Sequence, residues 1–144
     1  MKLSTRTRYG IRMLIDLAKN YNKGALQISE ISKKEDVSEK YLGQISIILK
    51  NNKIIDSVRG SQGGFFLTKP PENFNLKDLV EILEGDLQIV NCSFNNRKCE
   101  KILYCITKKI WEEVSLSIKN TLSKYTLLDL VKMQEKEADN MFYI

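Results

Sequence analysis

The chain has 144 residues, 42% hydrophobic and 28% charged, with a net charge of +5 and no histidine. That length suits one compact unit with a core of its own, and no apolar run approaches the ~18 residues of a membrane span. The opening Met1-Lys-Leu-Ser leads into an amphipathic segment rather than a signal peptide, so a cytoplasmic protein is expected, in a compartment where thiols stay reduced.

Positive charge is concentrated at the front. Residues 1–69 hold thirteen Lys and Arg against six acids, whereas residues 70–144 hold ten against twelve. A basic first half points to a polyanionic partner there, with a solvated Lys-rich surface as the plainer alternative. Ile11, Leu14, Ile15 and Ala18 recur at helical spacing and predict a first helix over residues 5–21, with Arg8 and Arg12 one turn apart on another face. Gly24 follows its end, residues 25–28 form an extended link, and Ser29 is placed to cap a brief second helix over residues 30–35 that buries Ile31.

Asp36-Val37-Ser38 then reads as a short polar turn, with Ser38 capping a helix whose inner stripe is Leu42, Ile45 and Leu49. Two helices joined by a turn of three or four residues are the helix-turn-helix signature. Lys40, Tyr41 and Gln44 lie off that stripe, offering a cation for phosphate, an aromatic hydroxyl and an amide that can pair with a base edge. Solvation of a surface helix is the competing explanation. Gly43, which costs roughly 1 kcal/mol of helix stability relative to Ala, favours a bare backbone turned to a groove.

Two β-prone runs, residues 54–58 and 65–68, flank the tip Arg59-Gly-Ser-Gln-Gly-Gly64 and predict a hairpin. Gly60, Gly63 and Gly64 permit positive φ or close backbone approach, and Arg59 stands where a guanidinium can enter a minor groove. A phosphate-cradling P-loop is not supported, because its terminal Lys-Ser/Thr is missing. Asn75 caps a short helix over residues 76–84, which Gly85 ends. A longer helix over residues 103–122 carries Leu103, Ile106, Ile110, Val114, Ile118 and Leu122 on one stripe beside Trp111, too long to be covered by the small winged helix that the helix-turn-helix and the hairpin together make. It therefore predicts a partner helix from a second copy. Thr126 caps a last helix over residues 127–137.

All three cysteines, Cys92, Cys99 and Cys105, fall within residues 91–105, in a loop rich in Asn, Ser, Lys and Arg. Three soft sulfur donors in a reducing compartment point to metal or redox chemistry, with an iron-sulfur cluster, zinc and an oxidisable thiol as the alternatives. Zinc lacks a fourth Cys or His, although an acid can serve. Without histidine, Cys-x-x-Cys or a recognisable acid pair, the sequence does not read as an enzyme.

The element order, Met1-Lys-Leu-Ser, Ser57-Val-Arg-Gly-Ser-Gln-Gly-Gly-Phe-Phe-Leu67, the cysteine trio and Cys105-Ile-Thr-Lys-Lys-Ile-Trp111 together resemble the IscR/NsrR/CymR family of bacterial winged-helix transcription regulators. The trio narrows the resemblance to IscR-like members that bind iron-sulfur clusters; CymR-like members lack it. The fold implied is mainly α with a small β-hairpin: a winged helix-turn-helix DNA-binding domain in residues 1–84, a cluster-binding cysteine loop in 85–105, and a dimerisation helix with a C-terminal helix in 106–144.

The resemblance further implies a homodimer on a roughly palindromic DNA operator. Ser38, Tyr41 and Gln44 would enter the major groove, Arg59 the minor groove, and Tyr9, Gly60, Ser61 and Gln62 would lie near the backbone. Cys92, Cys99 and Cys105 would hold a cluster of [2Fe-2S] or [4Fe-4S] type. Lys108 stands where IscR-like proteins carry a histidine ligand and Arg8 where some NsrR-like proteins carry an acidic one, so the fourth ligand must be another carboxylate, an oxygen, solvent or a small thiol. Such an open shell suits a sensor of cluster supply, oxygen or nitric oxide. The expected function is therefore a cluster-sensing regulator of iron-sulfur biogenesis genes. The alternatives are a nitric oxide or redox-responsive repressor and a cluster-free thiol-based regulator.

Overall fold

The computed structural model describes residues 2–92 and 99–142. In chain order these form α1 (Thr5–Lys19), α2 (Ile28–Glu35), α3 (Glu39–Asn51), β1 (Ile55–Val58), β2 (Gly64–Leu67), a 3-10 turn (Pro71–Asn73), α4 (Leu76–Glu84), α5 (Ile106–Ser123) and α6 (Leu127–Met141). The expected class, mainly helical with one small antiparallel hairpin, is what the chain adopts.

Helix α1 lies at the centre because its apolar stripe meets neighbours along its length. Met13, Leu14, Leu17 and Ala18 are buried, and α2, α3, α4, α6 and β2 all pack against the helix. Its first turn is fastened to the end of α4. The Ser4 side chain caps α1 by accepting from the Thr7 amide at 3.2 Å, while the Ser4 and Thr7 hydroxyls both donate to the Glu84 carboxylate. Those two hydroxyls, Thr7 first, hold the Glu84 carboxyl below the usual carboxylate range. Arg6 Nε adds a bond to the Leu83 carbonyl at 2.8 Å. Gly10 lets the two helices close, since a Cβ there would stand 2.7 Å from Leu83 Cδ1.

The turn between α2 and α3 is built from local hydrogen bonds. Asp36 takes a left-handed conformation at φ 53°, Ser32 Oγ donates to the Val37 carbonyl at 2.6 Å, and Ser38 caps α3 by accepting from the Tyr41 amide at 3.2 Å. Leu42, Ile45 and Leu49 turn inward as expected. One boundary differs: Ser29 lies inside α2 rather than at its cap. Gln27 holds that place, because the Glu30 carboxylate reaches back to accept from its amide at 3.0 Å and closes the first turn two residues earlier.

The hairpin pairs Ile55 with Leu67 and Val58 with Gly64. Leu26, in the link before α2, adds a further rung by exchanging two backbone hydrogen bonds with Phe65, each 2.9 Å. Each glycine at the tip has a separate reason. Gly60 sits at φ 110°; a Cβ on Gly64 would stand 2.4 Å from the Leu26 carbonyl oxygen; and one on Gly63 would stand 2.4 Å from the Val58 carbonyl oxygen. Gly63 therefore answers to close packing, not to positive φ.

Helix α4 starts at Asn75, whose side chain accepts from the Lys77 amide at 3.0 Å, and stops at Gly85 with φ 99°. The long helix starts three residues later than its apolar stripe implies. Residues 99–104 turn on themselves through Ile102 N–H to the Cys99 carbonyl and Tyr104 N–H to the Lys101 carbonyl, so Leu103 precedes the helix and Cys105 caps it. The middle and end of α5 are held to the rest: Ser115 Oγ accepts from the Ile89 amide at 3.0 Å, and Lys119 lies 3.7 Å from Glu81 and 3.4 Å from Asp86. Helix α6 begins with a Thr126–Asp129 capping box and runs to Met141, past the expected residue 137. Its Leu127 and Val131 are buried in the same core as the α1 stripe.

Two glycine variants separate packing from propensity. Gly63→Ala is expected to lower unfolding stability by about 1–3 kcal/mol through overpacking against backbone. Gly43→Ala, where an added Cβ meets nothing within 4 Å, is expected to raise it by about 0.5–1 kcal/mol. Urea denaturation of the two proteins checks both signs.

Candidate nucleic-acid interface and cysteine loop

The first turns of α3 and the hairpin tip hold the polar side chains expected to meet DNA. Lys40 and Gln44, four residues apart on one face of α3, are exposed, and Tyr41 is half-buried beside them. Ser38 is exposed too; one lone pair serves the cap, which leaves its O–H free to donate outward. At the wing, Arg59, Gly60, Ser61 and Gln62 are all exposed. Tyr9, on α1, is half-buried and meets the Tyr41 ring edge-on, with centroids 6.2 Å apart at 88°.

Several contacts that position this face were not singled out from sequence. Gln27 Nε2 donates to the Ser61 carbonyl at 3.1 Å, tying the wing tip to the start of α2. Lys50 donates to Ser57 Oγ at 2.7 Å and lies 3.6 Å from Asp56, tying the end of α3 to β1. Arg12 bonds Glu35 and lies over Tyr9. No apolar periodicity announces such pairs: Gln27–Ser61 and Arg12–Glu35 join residues 34 and 23 positions apart, and the nearer ones depend on how α3 meets β1 and how Arg12 turns over Tyr9.

The cysteines form a second, separate region. Cys92 and Cys99 are exposed and Cys105 is partly so; residues 93–98, between the first two, lie outside the described residues. In kind, three thiols are suitable donors for iron or another soft metal. In place, no three Cys, Asp or Glu side chains among the described residues gather as a metal site. Cys105 differs from the others in its surroundings. Its sulfur lies 3.2 Å from the Thr107 hydroxyl, and that hydroxyl, followed by the amides of Lys108 and Thr107 at the start of α5, holds the thiol below its ordinary range. Lys108 itself turns to Glu112 at 3.4 Å.

Beyond the cysteines, the first half of α5 presents an apolar face to solvent, with Ile106, Ile110, Trp111 and Val114 exposed; Leu116, further along and on another side of the helix, is exposed too. Among the described residues no helix is long and apolar enough to cross a membrane.

A helix-turn-helix followed by a hairpin wing and a long projecting helix defines a winged-helix regulator. The chain belongs to the Rrf2 family, whose pattern, described as iron-dependent transcriptional regulator, matches residues 3–133. It is 34% identical to the protein rrf2 of Nitratidesulfovibrio vulgaris over 132 residues, 92% of this chain and 88% of the relative. It is 30% identical to the transcriptional regulator CymR of Bacillus subtilis over the full length of both. The solved structure of T. potens IscR superposes with a TM-score of 0.78 at 31% identity, covering 95% of this chain and 90% of that one. That of CymR, the global cysteine regulator of B. subtilis, gives 0.75 at 29% identity, covering 92% and 98%. The chain is thus a transcription regulator of a DNA-binding family, not an enzyme. The IscR-like and CymR-like branches resemble it to a similar degree, so overall likeness does not single out the cluster-binding branch favoured by the trio.

The Cys105 surroundings predict selective chemistry. Cys105 is expected to react faster with iodoacetamide near neutral pH than Cys92 or Cys99, and Thr107→Val is expected to move its alkylation midpoint to higher pH by removing the hydroxyl that favours the thiolate. Peptide mapping by mass spectrometry across a pH series measures both.

Proposed function

We propose that the protein is a homodimeric, cytoplasmic repressor that reads a roughly palindromic operator and changes its affinity with the state of the cysteine loop. The observation that carries this is the exposed polar face of α3 beside an exposed wing, both in the basic half of the chain, on the scaffold of a regulator family. Lys40, Gln44 and the free O–H of Ser38 address the major groove and its phosphates together with Tyr41; Arg59 enters the minor groove. Tyr9, Gly60, Ser61 and Gln62 approach the sugar-phosphate backbone, where base identity matters little. Two such units related by two-fold symmetry place their recognition helices about one turn, ~34 Å, apart or a multiple of it.

The uncovered apolar face of α5 supports the dimer. Ile106, Ile110, Trp111 and Val114 would meet the same residues of a second copy, since a two-fold axis makes one patch complementary to itself.

An iron-sulfur cluster on Cys92, Cys99 and Cys105 is the signal we favour, with control of iron-sulfur biogenesis as the output. Its support is the donor set itself and the Cys105 surroundings, which favour the ligating thiolate. When bound, such a group supplies a redox-labile, charge-changing centre at the head of α5. The protein's own part is to offer the three thiols near solvent, where loss or attack is easy. A second reading, a cluster-free thiol switch, rests on Cys105 alone: a partly exposed, acidified thiol is the form that oxidants and nitric oxide-derived species attack.

Operator binding is measured by fluorescence anisotropy with a duplex selected from random-sequence DNA. Arg59→Ala is expected to weaken it by about 1–3 kcal/mol; removing Lys40 is expected to flatten the dependence of log affinity on log salt. An unchanged affinity or slope would place the residue outside the interface. Anaerobic reconstitution should yield brown, iron-containing protein with an altered operator affinity, and Ile110→Glu should convert the dimer to monomer in sedimentation equilibrium. Colourless, iron-free protein whose affinity responds only to a thiol oxidant would replace the cluster with the thiol switch.

A further inference from the structure

Arg12 has the charge of a phosphate binder, stands on the basic half of the chain and is half exposed, yet its bonds run to another helix of the protein. From α1 its Nε donates to Glu35 Oε2 at 2.5 Å and its terminal nitrogen to the Glu35 carbonyl at 3.4 Å. Glu35 closes α2, and its side chain is only 9% exposed. The guanidinium carbon lies 5.4 Å from the centre of the Tyr9 ring, one turn back on α1. Tyr9 in turn meets Tyr41 edge-on. Tyr41 is the third residue of α3, and its amide is held by the Ser38 cap. A single chain of contacts, Glu35 to Arg12 to Tyr9 to Tyr41, thus links both helices of the helix-turn-helix, α2 and α3, through α1.

The chemistry of each link suits a strut. A guanidinium is planar, so one face can lie on an aromatic ring while its edge forms directed hydrogen bonds to a carboxylate and a carbonyl; an ammonium cannot do both. The carbonyl belongs to the last residue of α2, where the helix dipole is negative and a cation is favoured. An edge-to-face pair of tyrosines has a preferred geometry, so fixing one ring restricts the other.

We infer that Arg12 is a positioning residue for DNA recognition: it holds Tyr9 and, through it, Tyr41 in the orientation that α3 presents to the groove, and makes no phosphate contact of its own. This rests on the DNA-binding reading of α3. It adds a residue to the functional set that does not touch the ligand, and it assigns Glu35 the task of fixing the strut at its far end.

The test uses the full-length protein with Arg12→Lys and Arg12→Gln. Arg12→Lys keeps the charge and loses the planar fork; Arg12→Gln loses both. Two readouts are taken. One is the Tyr9 and Tyr41 ring resonances in DNA-free, tyrosine-labelled protein, assigned with Tyr9→Phe and Tyr41→Phe. The other is affinity for the selected duplex across a salt series. A strut predicts that both variants shift both sets of resonances and bind roughly three- to tenfold more weakly, as expected for losing a cation–π contact and an ion pair, with the slope against log salt unchanged. A phosphate contact predicts undisturbed rings, near-native affinity for Arg12→Lys, and for Arg12→Gln a slope shallower by about 0.9; that result overturns the inference. The ring measurement needs no DNA. Undisturbed rings overturn the strut even where no duplex binds, whereas absence of binding by the unsubstituted protein speaks against the DNA-binding reading and not against the strut.

Discussion

The two hydrogen bonds between Leu26 and Phe65 hold the wing to the rest of the protein, and much of the surface proposed to face DNA depends on them. A hairpin of two four-residue strands is marginal by itself. Leu26 supplies the extra rung, and because it lies just ahead of α2, the wing is registered to the helix-turn-helix rather than merely adjacent to it. Gly64 is the condition for that rung, since any side chain would collide with the Leu26 backbone. The Gln27–Ser61 and Lys50–Ser57 contacts then fasten the tip and the base of the same hairpin. Helix α3 and the wing are consequently fastened to one another at several points. A rigid support of this kind is what lets a few side chains discriminate among duplexes instead of following the backbone loosely.

Much of this was legible in the sequence because it is written in local patterns. The stripe of Leu42, Ile45 and Leu49, the caps at Ser38, Asn75 and Thr126, and the terminating Gly85 each act within a turn or two of themselves, and each stands where the residues imply. Errors fell where a distant or competing group decides. Ser29 is the better cap by residue type, but Glu30 closes on Gln27. Leu103 continues the α5 stripe by spacing, yet the backbone turns at Ile102 and Tyr104 postpone the helix to Ile106. Gly10 gave no signal at all, because its reason is Leu83 on another helix.

The candidate site divides in the same way. Exposure of Lys40, Gln44 and Arg59 follows from their places off the apolar stripe and at a strand end, so sequence could nominate them. The struts behind them could not be nominated, since Arg12 and Glu35 are 23 residues apart and neither belongs to a motif. For the cysteines, sequence supplies count, spacing and softness. The position of Cys105 at the head of α5 is structural information, and it is what distinguishes one thiol from the other two.

Helix α5 behaves mechanically as a cantilever. Its far end is clamped: Asn75 donates to the Ser123 carbonyl at 2.9 Å, Leu76 N–H to Tyr125, and Leu127 N–H to Phe74, with Ser115 and Lys119 as further supports partway along. The opposite end, from Ile106 to Val114, stands free of its own core, and Cys105 caps that tip. A helix of 18 residues is about 27 Å long. The supports at Ser115 and Lys119 lie between that tip and the clamp, so the overhang is the first nine residues, roughly 14 Å, and the clamp is shared with α4 and, through Leu127, with the core beneath α1.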